Sequence, residues 1–352
     1  MKAMCLLGPE RFELREDYPE VPPPGDDEVT VRVRSVGICG SDLHLYQEGH
    51  IGDIGRGQPV VPGHEFMGEI VAAGPRARDG LGETLAPGRR VAVEPHIPCH
   101  RCEWCERGDV NLCPHHTFIG LPGFDGALRE RLTVSARNCF SIPDTIGDAA
   151  GALLEPLGVA LHALELSGNL LGRRVAVIGC GPIGLKILRL CRLAGASQVA
   201  GIEPIAARAE MARRWGADEV LETAAQESVA EAREISGGRG FDLVFECAWT
   251  GPALPPAIDI AAPGARVMLV GIPGRGDTVL SHSPARRKGL SLIFVRRMKH
   301  TYPRAIDLAA RGERGVALDD LVTHRFPLQQ TPQAFALNLR YGDNLIKAVI
   351  DI

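Results

Sequence analysis

The feature that most constrains the fold is a glycine-rich loop placed between a strand and a helix. The apolar run at 174–179 predicts a buried strand, and apolar residues at helical spacing follow from Ile183 to Leu193. A G-x-G-x-x-G element occupies residues 179–184 between them. At such a junction the free N–H groups of the helix N-terminus can face a pyrophosphate. The segment therefore predicts a dinucleotide-binding unit.

The residues of this loop have separate roles in that prediction. Gly179 permits the tight turn, Gly181 lets the backbone approach the pyrophosphate, and Gly184 lets the helix pack on the strand. Pro182 and Ile183 lie between the second and third glycines, and the predicted helix begins at Ile183. We expect all five residues to line the cofactor site.

Two residues beyond the loop bear on which cofactor is bound. Glu203 ends the next predicted strand, where a carboxylate can accept hydrogen bonds from both ribose hydroxyls and would repel a 2′-phosphate. This arrangement favours NAD over NADP. Arg208 follows closely and weakens the preference, because a cation there could accommodate a phosphate.

The pattern of strands and helices predicts two domains. Strands and helices alternate over 156–290, which indicates an α/β domain with a doubly wound parallel sheet. Residues 1–155 are rich in proline and glycine between short apolar runs, so we expect an irregular, mostly β domain to which 291–352 returns. An edge strand at 266–270 or 278–281 could pair two copies of the chain.

Four cysteines form a compact group in a segment with little to hold it otherwise. Their spacings are two, two and seven residues: Cys99, Cys102, Cys105 and Cys113. Four thiolates close a tetrahedral shell, so the lobe at 95–115 is predicted to bind a structural zinc ion. An iron–sulfur cluster is the alternative, because the first spacings and Pro114 match a ferredoxin run, but the last gap is too long. A disulfide-bonded loop is less favoured.

A second group of metal-binding residue types is spread along the chain. Cys39 and His44 lie in a glycine-flanked segment after a predicted strand, and Gly63 precedes the pair His64 and Glu65. Glu155 stands in an apolar setting and needs a partner. Cysteine, histidine and carboxylate with one open position form a catalytic zinc arrangement. Each residue alone also has an ordinary explanation, as a buried thiol or as the cap of a turn or helix.

Composition excludes several classes of function. A formal net charge of −4 over 352 residues argues against nucleic-acid binding driven by overall charge. No apolar run approaches the roughly 18 residues of a membrane helix, and we expect no secretory signal. With four of ten cysteines grouped as metal ligands, the chain is expected to be cytoplasmic.

The chain resembles the zinc-dependent medium-chain alcohol dehydrogenases over essentially its whole length. The resemblance rests on 37–42, on Gly63-His64-Glu65, on the four-cysteine lobe and on 179–184, in the family's order. Within the family, 39–52 and Glu155-Pro156-Leu157 are most similar to the sorbitol and polyol dehydrogenases. The resemblance implies a GroES-like catalytic domain (1–155 and 291–352) and a Rossmann domain (156–290).

The resemblance also assigns site residues. It implies that Cys39, His64 and Glu65 bind the catalytic zinc, and that Glu155 is either a fourth ligand or holds the zinc-bound water. With the lobe, this makes two zinc ions per chain. It further implies that Phe118 and Arg297 line the substrate pocket.

The expected reaction is hydride transfer from a secondary alcohol to NAD, with zinc acting as a Lewis acid on the hydroxyl oxygen. Ser41 is expected to take the alcohol proton and pass it toward solvent, with His44 on the route. Asp42 is expected to orient His64.

Substrate and assembly stay open at this point. A polyol such as sorbitol or xylitol is expected, with threonine, glucose or sugar-acid dehydrogenation, or a non-enzymatic NAD-binding relative, as alternatives. Arg296, Arg297 and Lys299 form a basic stretch that is either solvated or subunit-facing, or serves a substrate with a carboxylate or phosphate. The family implies a homo-oligomer, either dimer or tetramer.

Overall fold

The computed structural model divides the chain into two units, each with its own main sheet. It describes five stretches of the chain: residues 1–51, 58–248, 253–273, 278–280 and 282–352. The first unit comprises Met1–Pro156 and Tyr302–Ile352, and the second comprises Leu157–Thr301. The chain thus returns to the first unit at Tyr302, later than the expected residue 291. Gly52 of the segment 39–52 and Ser281 of the segment 278–281 lie outside the described residues.

The first part of the first unit is built mainly from short strands. Its strands are β1 (Ala3–Gly8), β2 (Arg11–Arg15), β3 (Glu28–Gly37), β4 (Glu65–Ala73), β5 (Arg90–Val93), β6 (His96–Ile97), β7 (Thr117–Phe118), β8 (Arg131–Ser135) and β9 (Cys139–Ser141). Its helices are α1 (Gly40–Glu48), α2 (Glu103–Glu106), α3 (Asp148–Ala152) and α4 (Leu154–Ser167), the last continuing into the second unit. Short 3-10 turns occupy Val110–Leu112 and Ala136–Asn138.

The second unit alternates strands and helices, as predicted. Its strands are β10 (Arg174–Ile178), β11 (Gln198–Ile202), β12 (Glu219–Leu221), β13 (Phe241–Glu246), β14 (Ala261–Leu269) and β15 (Ser291–Phe294). Its helices are α5 (Pro182–Leu193), α6 (Ala206–Arg214), α7 (Val229–Ile235), α8 (Leu254–Ile260) and α9 (His282–Lys288).

The C-terminal segment completes the sheet of the first unit. It contains α10 (Tyr302–Ala310), β16 (Val322–Pro327), α11 (Thr331–Leu339) and β17 (Lys347–Asp351), with 3-10 turns at Gly312–Arg314, Leu318–Leu321 and Leu328–Gln330. β17 pairs antiparallel with β3, and β16 pairs parallel with β17. The seven-stranded sheet has the order β16-β17-β3-β4-β5-β9, with β8 also on β3.

The pairing of β3 with β4 brings two distant sequence segments together. The strands are antiparallel, and Gly37 at the end of β3 lies opposite Glu65 at the start of β4. Alternating apolar residues of β3, such as Val29, Val31 and Val33, are fully buried. This register places the residues just after β3 beside those just before β4.

The sheet of the second unit is wholly parallel, with strand order β12-β11-β10-β13-β14-β15. This order confirms the predicted doubly wound sheet, because the chain direction across the sheet reverses between β10 and β13. The prediction of an edge strand at 266–270 is wrong, since those residues fall largely in β14, which β15 covers. Residues 278–280 form no strand.

The helices of the second unit are short and bury one side against the sheet. In α5, Leu185, Ile187 and Leu188 have no exposed surface, and the helix contacts β10 and β11. Among the helices in the described ranges, none combines the length and apolar character needed to cross a bilayer.

Candidate active site

Three predicted metal ligands converge at the junction of β3 and β4. Cys39 lies just after β3, His64 just before β4, and Glu65 is the first residue of β4. One ligand atom of each lies within 4.8 Å of the others. His64 and Glu65 are 4% and 1% exposed. A thiol, an imidazole and a carboxylate held this closely fit a zinc ion with a further coordination position.

Two glycines make room for this group. Gly63 has φ +97°, and a Cβ there would lie 2.9 Å from the Val36 side chain. A Cβ at Gly37 would lie 2.3 Å from the Glu65 carboxylate. Glycine at these positions lets the backbone turn between His64 and its neighbours and lets the carboxylate lie against β3.

Asp42, at the start of α1, holds two of the ligands in place. One of its carboxylate oxygens is 3.2 Å from Nδ1 of His64, and the other accepts the backbone N–H of Cys39 at 3.0 Å. Burial opposes a charge on the imidazole, but Asp42 and the Cys39 side chain outweigh it and raise the pKa of His64 well above its usual range. Asp42 therefore contacts His64 as expected of an orienting residue.

Lys347 is a member of this site that the sequence did not single out. Its Nζ lies 2.5 Å from Oε2 of Glu65 and donates a hydrogen bond to the carbonyl of Ile38 at 2.7 Å. Burial lowers the pKa of Lys347, but Glu65 above all raises it, with a net increase. The available signal was a lysine in the otherwise apolar strand at 345–350, because such a side chain needs a buried partner.

Two further predicted site residues, Ser41 and Phe118, contact His64, and His44 instead contacts Glu48. Oγ of Ser41 is 3.5 Å from Nε2 of His64, and the ring of Phe118 is 5.4 Å from that of His64. Nδ1 of His44 is 3.0 Å from the carboxylate of Glu48, one turn along α1.

Glu155 does not belong to the three-residue group but lies close to another acid. It is 7% exposed, and its charge adds to burial in raising the pKa of Glu94 to about 8. The structure thus brings the charge of Glu155 within electrostatic reach of Glu94, which the sequence did not reveal. Arg297 belongs to the second unit, with a left-handed backbone at φ +57°.

The four cysteines of the lobe form the second metal-type group. All four sulfurs lie within 4.8 Å of one another, and Sγ of Cys102 is 3.5 Å from that of Cys105 and 3.8 Å from that of Cys113. Tetrahedral ligands at the zinc–sulfur bond length are about 3.8 Å apart, so the spacing suits one ion. The N–H of Arg101 chiefly lowers the pKa of Cys99 to about 6, whereas burial chiefly raises the pKa of Cys105 to about 12.

The glycine-rich loop has the geometry of a dinucleotide turn. Gly179 has φ +85°, and a Cβ at Gly184 would lie 1.9 Å from the Gly179 carbonyl oxygen. Gly181 precedes α5, and a Cβ there would meet only the guanidinium of Arg208, at 3.7 Å. The N-terminus of α5 is therefore open to a phosphate and has a cation beside it.

Glu203 is tied to this loop by its carboxylate. One oxygen accepts the N–H of Cys180 at 2.8 Å, and the other accepts the N–H of Ile205 at 3.0 Å. Burial raises the pKa of Glu203, and Arg208 and the two N–H groups oppose that rise. The carboxylate is thus fixed at the end of β11, where it closes one side of the turn.

Comparisons with known proteins agree with both halves of this description. Residues 25–144 match the alcohol dehydrogenase GroES-like domain, and residues 182–311 match the zinc-binding dehydrogenase domain. The chain is 37% identical over 336 residues to the sorbitol dehydrogenase of Bos taurus, covering 95% of this chain and 91% of that protein.

Two solved structures extend the comparison to the fold. An Escherichia coli oxidoreductase/dehydrogenase of unknown specificity involved in membrane biogenesis has a TM-score of 0.91 and 30% identity, covering 100% of this chain and 99% of that chain. A zinc-binding dehydrogenase from Sinorhizobium meliloti 1021 bound to NADP has a TM-score of 0.87 and 30% identity, with the same coverage.

Proposed function

This chain belongs to the zinc-dependent medium-chain alcohol dehydrogenase family, and from that premise we propose that it oxidises a secondary alcohol of a polyol such as sorbitol or xylitol with NAD. Zinc- and nicotinamide-dependent oxidoreductase activity follows from the family itself. The observation that carries the proposal is the convergence of Cys39, His64 and Glu65. The polyol class rests on the similarity to sorbitol dehydrogenases.

The residues of the first unit have distinct roles in this proposal. Cys39, His64 and Glu65 would hold the catalytic zinc, with Glu155 supplying a further carboxylate directly or through water. When bound, zinc supplies a Lewis acid for the alcohol oxygen, and the nicotinamide accepts the hydride. Phe118 would give the substrate an apolar surface beside His64.

Proton transfer falls to side chains at the start of α1. Ser41 would accept the alcohol proton, since its hydroxyl lies 3.5 Å from the His64 ring and so borders the ligand group. His44 would carry the proton onward, and its contact with the half-exposed Glu48 leads toward solvent.

Glu203 supports NAD as the cofactor. Its fixed carboxylate would repel a 2′-phosphate, whereas Arg208 would attract one, and a similar dehydrogenase binds NADP. We expect the Glu203 carboxylate to determine the cofactor preference, because backbone N–H groups anchor both of its oxygens. Initial rates with NAD and NADP test this preference, and Glu203→Ala should reduce the difference between the rates with the two cofactors. A wild-type preference for NADP would contradict it.

For assembly, we propose pairing of β15 with its symmetry mate. β15 is an outer strand of the sheet, its Phe294 is 79% exposed, and Val279 nearby in sequence is 85% exposed. Open strand edges with apolar neighbours favour association. Sedimentation of wild type and Phe294→Asp distinguishes oligomer from monomer. A monomeric wild type would contradict the proposal.

Ten unpaired cysteines favour a cytoplasmic location, where thiols stay reduced.

The decisive experiment is a substrate panel on zinc-loaded enzyme. Sorbitol, xylitol, threonine, glucose and sugar acids are each assayed for NADH formation. Polyols should give the highest kcat/KM, and metal analysis should give two zinc ions per chain. Preference for threonine, glucose or a sugar acid would replace the polyol assignment, and a panel without NADH formation would favour a non-enzymatic NAD-binding protein.

A further inference from the structure

Glu246 occupies the point of the second unit where a dinucleotide is expected to bind, yet it has no part in the roles assigned so far. It is the last residue of β13, and its register partner on β10 is Ile178, next to Gly179. The strand order reverses between β10 and β13, and ligands of such sheets bind at the carboxyl ends of the strands at this reversal. On the β13 side, that crevice takes the second nucleotide of the cofactor.

Backbone and side-chain hydrogen bonds tie the loop at 246–248 to both neighbouring strands. The carboxylate of Glu246 accepts the N–H of Ala248 at 2.8 Å. Its backbone carbonyl accepts the N–H groups of Val270 and Gly271 at 2.8 and 2.9 Å, and the N–H of Cys247 donates to the carbonyl of Ile178 at 2.8 Å. The side-chain bond holds Ala248 itself.

The position of Ala248 matters because two glycines are packed against it. A Cβ at Gly179 would lie 2.9 Å from both N and Cα of Ala248. A Cβ at Gly271 would lie 2.3 Å from the Ala248 carbonyl oxygen and 3.1 Å from both carboxylate oxygens of Glu246. Movement of Ala248 would therefore change the space available to the first glycine of the pyrophosphate turn.

Glu246 can change its charge under ordinary conditions. It is 8% exposed, and burial raises its pKa to about 7 against the opposing effect of the Ala248 N–H. The thiol of Cys247, next in the chain, is a titratable neighbour that senses the charge of Glu246. Burial first, then Glu246, Cys180 and Cys191, raise the pKa of that thiol well above its usual range, so it stays neutral.

We infer that Glu246 is a positioning residue of the cofactor site: its ionised carboxylate fixes Ala248 against Gly179 and holds the crevice in the shape that binds the nicotinamide cofactor. A charged acceptor makes the stronger hydrogen bond to Ala248, and protonation weakens it. The inference rests on the nicotinamide dependence of this enzyme and adds Glu246 to the residues that shape the cofactor site.

The test compares NADH binding to zinc-loaded wild type and Glu246→Gln by fluorescence titration at pH 6 and pH 8.5. Glutamine keeps the shape and an acceptor oxygen but never carries the charge. We expect the Kd for NADH to rise about five- to tenfold in the variant at pH 8.5, the range of the difference between a charge-assisted and a neutral hydrogen bond. At pH 6, where the wild-type carboxyl is mostly protonated, the two proteins should bind nearly equally.

Asp242→Asn is the matched control. Asp242 lies at the other end of β13, and its carboxylate likewise accepts a backbone N–H, that of Arg174, at 3.0 Å. This variant should bind NADH like wild type at both pH values. In steady-state assays, Glu246→Gln should raise KM for NAD with little change in kcat, whereas a general loss of structure would lower both active fraction and kcat.

Three results would overturn the inference: equal binding by wild type and Glu246→Gln at pH 8.5, an equal difference at both pH values, or the same pH-dependent loss in Asp242→Asn. A wild type that binds no NADH at either pH would instead contradict the proposed function.

Discussion

At the scale of single residues, the candidate site depends on charges that are buried together. Glu65 and Lys347 are 1% and 2% exposed, and their ion pair shares a cluster with Cys39 and His64. Burying either charge alone would be costly, because neither could be solvated. Lys347 thus lets a carboxylate stand at a metal site before any metal arrives.

Replacing Lys347→Met should therefore destabilise the zinc-free protein by about 3–5 kcal/mol, the range for breaking one side of a buried pair. The measurement is denaturant unfolding in chelator, and added zinc should recover part of the loss because the ion also balances Glu65. Arg32→Met is the control, since its pair with Glu69 of β4 is partly exposed to solvent and should contribute less than about 1 kcal/mol. Equal effects of the two variants would contradict this account.

Ser41→Ala should lower kcat by about 10²- to 10⁴-fold, the range for a positioned proton-transfer group. Zinc content should stay at the wild-type value, because the Ser41 hydroxyl is not among the ligand atoms. Turnover and metal content measured on the same preparation provide the check. Undiminished turnover would remove Ser41 from the proton route.

At the scale of elements, a single side chain satisfies the C-terminal end of a neighbouring helix. Lys288, the last residue of α9, donates from Nζ to the carbonyls of Ile258, Asp259 and Ala261, each at 2.8 Å. Ile258 and Asp259 lie in the last turn of α8 and Ala261 follows it, where a helix leaves carbonyl acceptors without internal partners. A lysine from the next helix satisfies them, in place of the glycine cap common at helix ends.

Lys288→Met should lower the unfolding free energy of the second unit by about 1.5–3 kcal/mol, the range for hydrogen bonds to a charged group. Arg287→Met controls for loss of positive charge on the same helix, since its guanidinium bonds to Ser283 within α9. The comparison is made by chemical denaturation. A Lys288→Met protein as stable as Arg287→Met would show that α8 does not need this cap.

The cysteine lobe is an element whose order should depend on its metal. Cys102→Ser should leave one zinc ion per chain instead of two and expose 95–115 to limited proteolysis, because α2 has no buried residue to hold it. Cys5→Ser, outside both metal-type groups, should retain both ions and resist cleavage. Two retained ions in Cys102→Ser would contradict a four-thiolate site.

At the scale of the whole molecule, two carboxyl groups with raised pKa values lower the stability of the fold at high pH. Burial raises the pKa of Glu94 to about 8, with Glu155 adding to it, and burial raises that of Glu246 to about 7. A carboxyl group whose pKa is raised on folding binds its proton more tightly in the folded state. Its stabilisation is complete below the unfolded pKa and is lost as pH rises through the folded pKa.

We therefore expect the thermal midpoint of the zinc-free protein to fall between about pH 5 and pH 8, from just above the unfolded carboxyl pKa to the raised folded values. Glu94→Gln should flatten this decline, because an amide does not ionise. Calorimetry can follow both units, since Glu94 and Glu246 lie in different ones. A wild-type midpoint that is constant or rises over this range would contradict the expectation.

The sequence by itself determined the class of both units and most of the candidate site. Strand and helix periods and the glycine turn are local patterns, and local patterns suffice to specify β10, α5 and their loop. The cysteine spacing likewise predicts a cluster that one short segment can close. The fold class and the zinc and nicotinamide dependence could therefore be predicted before the structure was known.

Only the tertiary structure decided which distant residues meet. The pairing of β17 with β3 brings Lys347 to Glu65, and β15 extends the parallel sheet beyond the boundary expected at residue 290, which moves the return to the first unit to Tyr302. The strand order alone places Glu246, at the end of β13, beside the glycine-rich turn that follows β10. The physical reason is that strand pairing is a long-range choice, set by the packing of whole sheets and carried by no local period of the sequence.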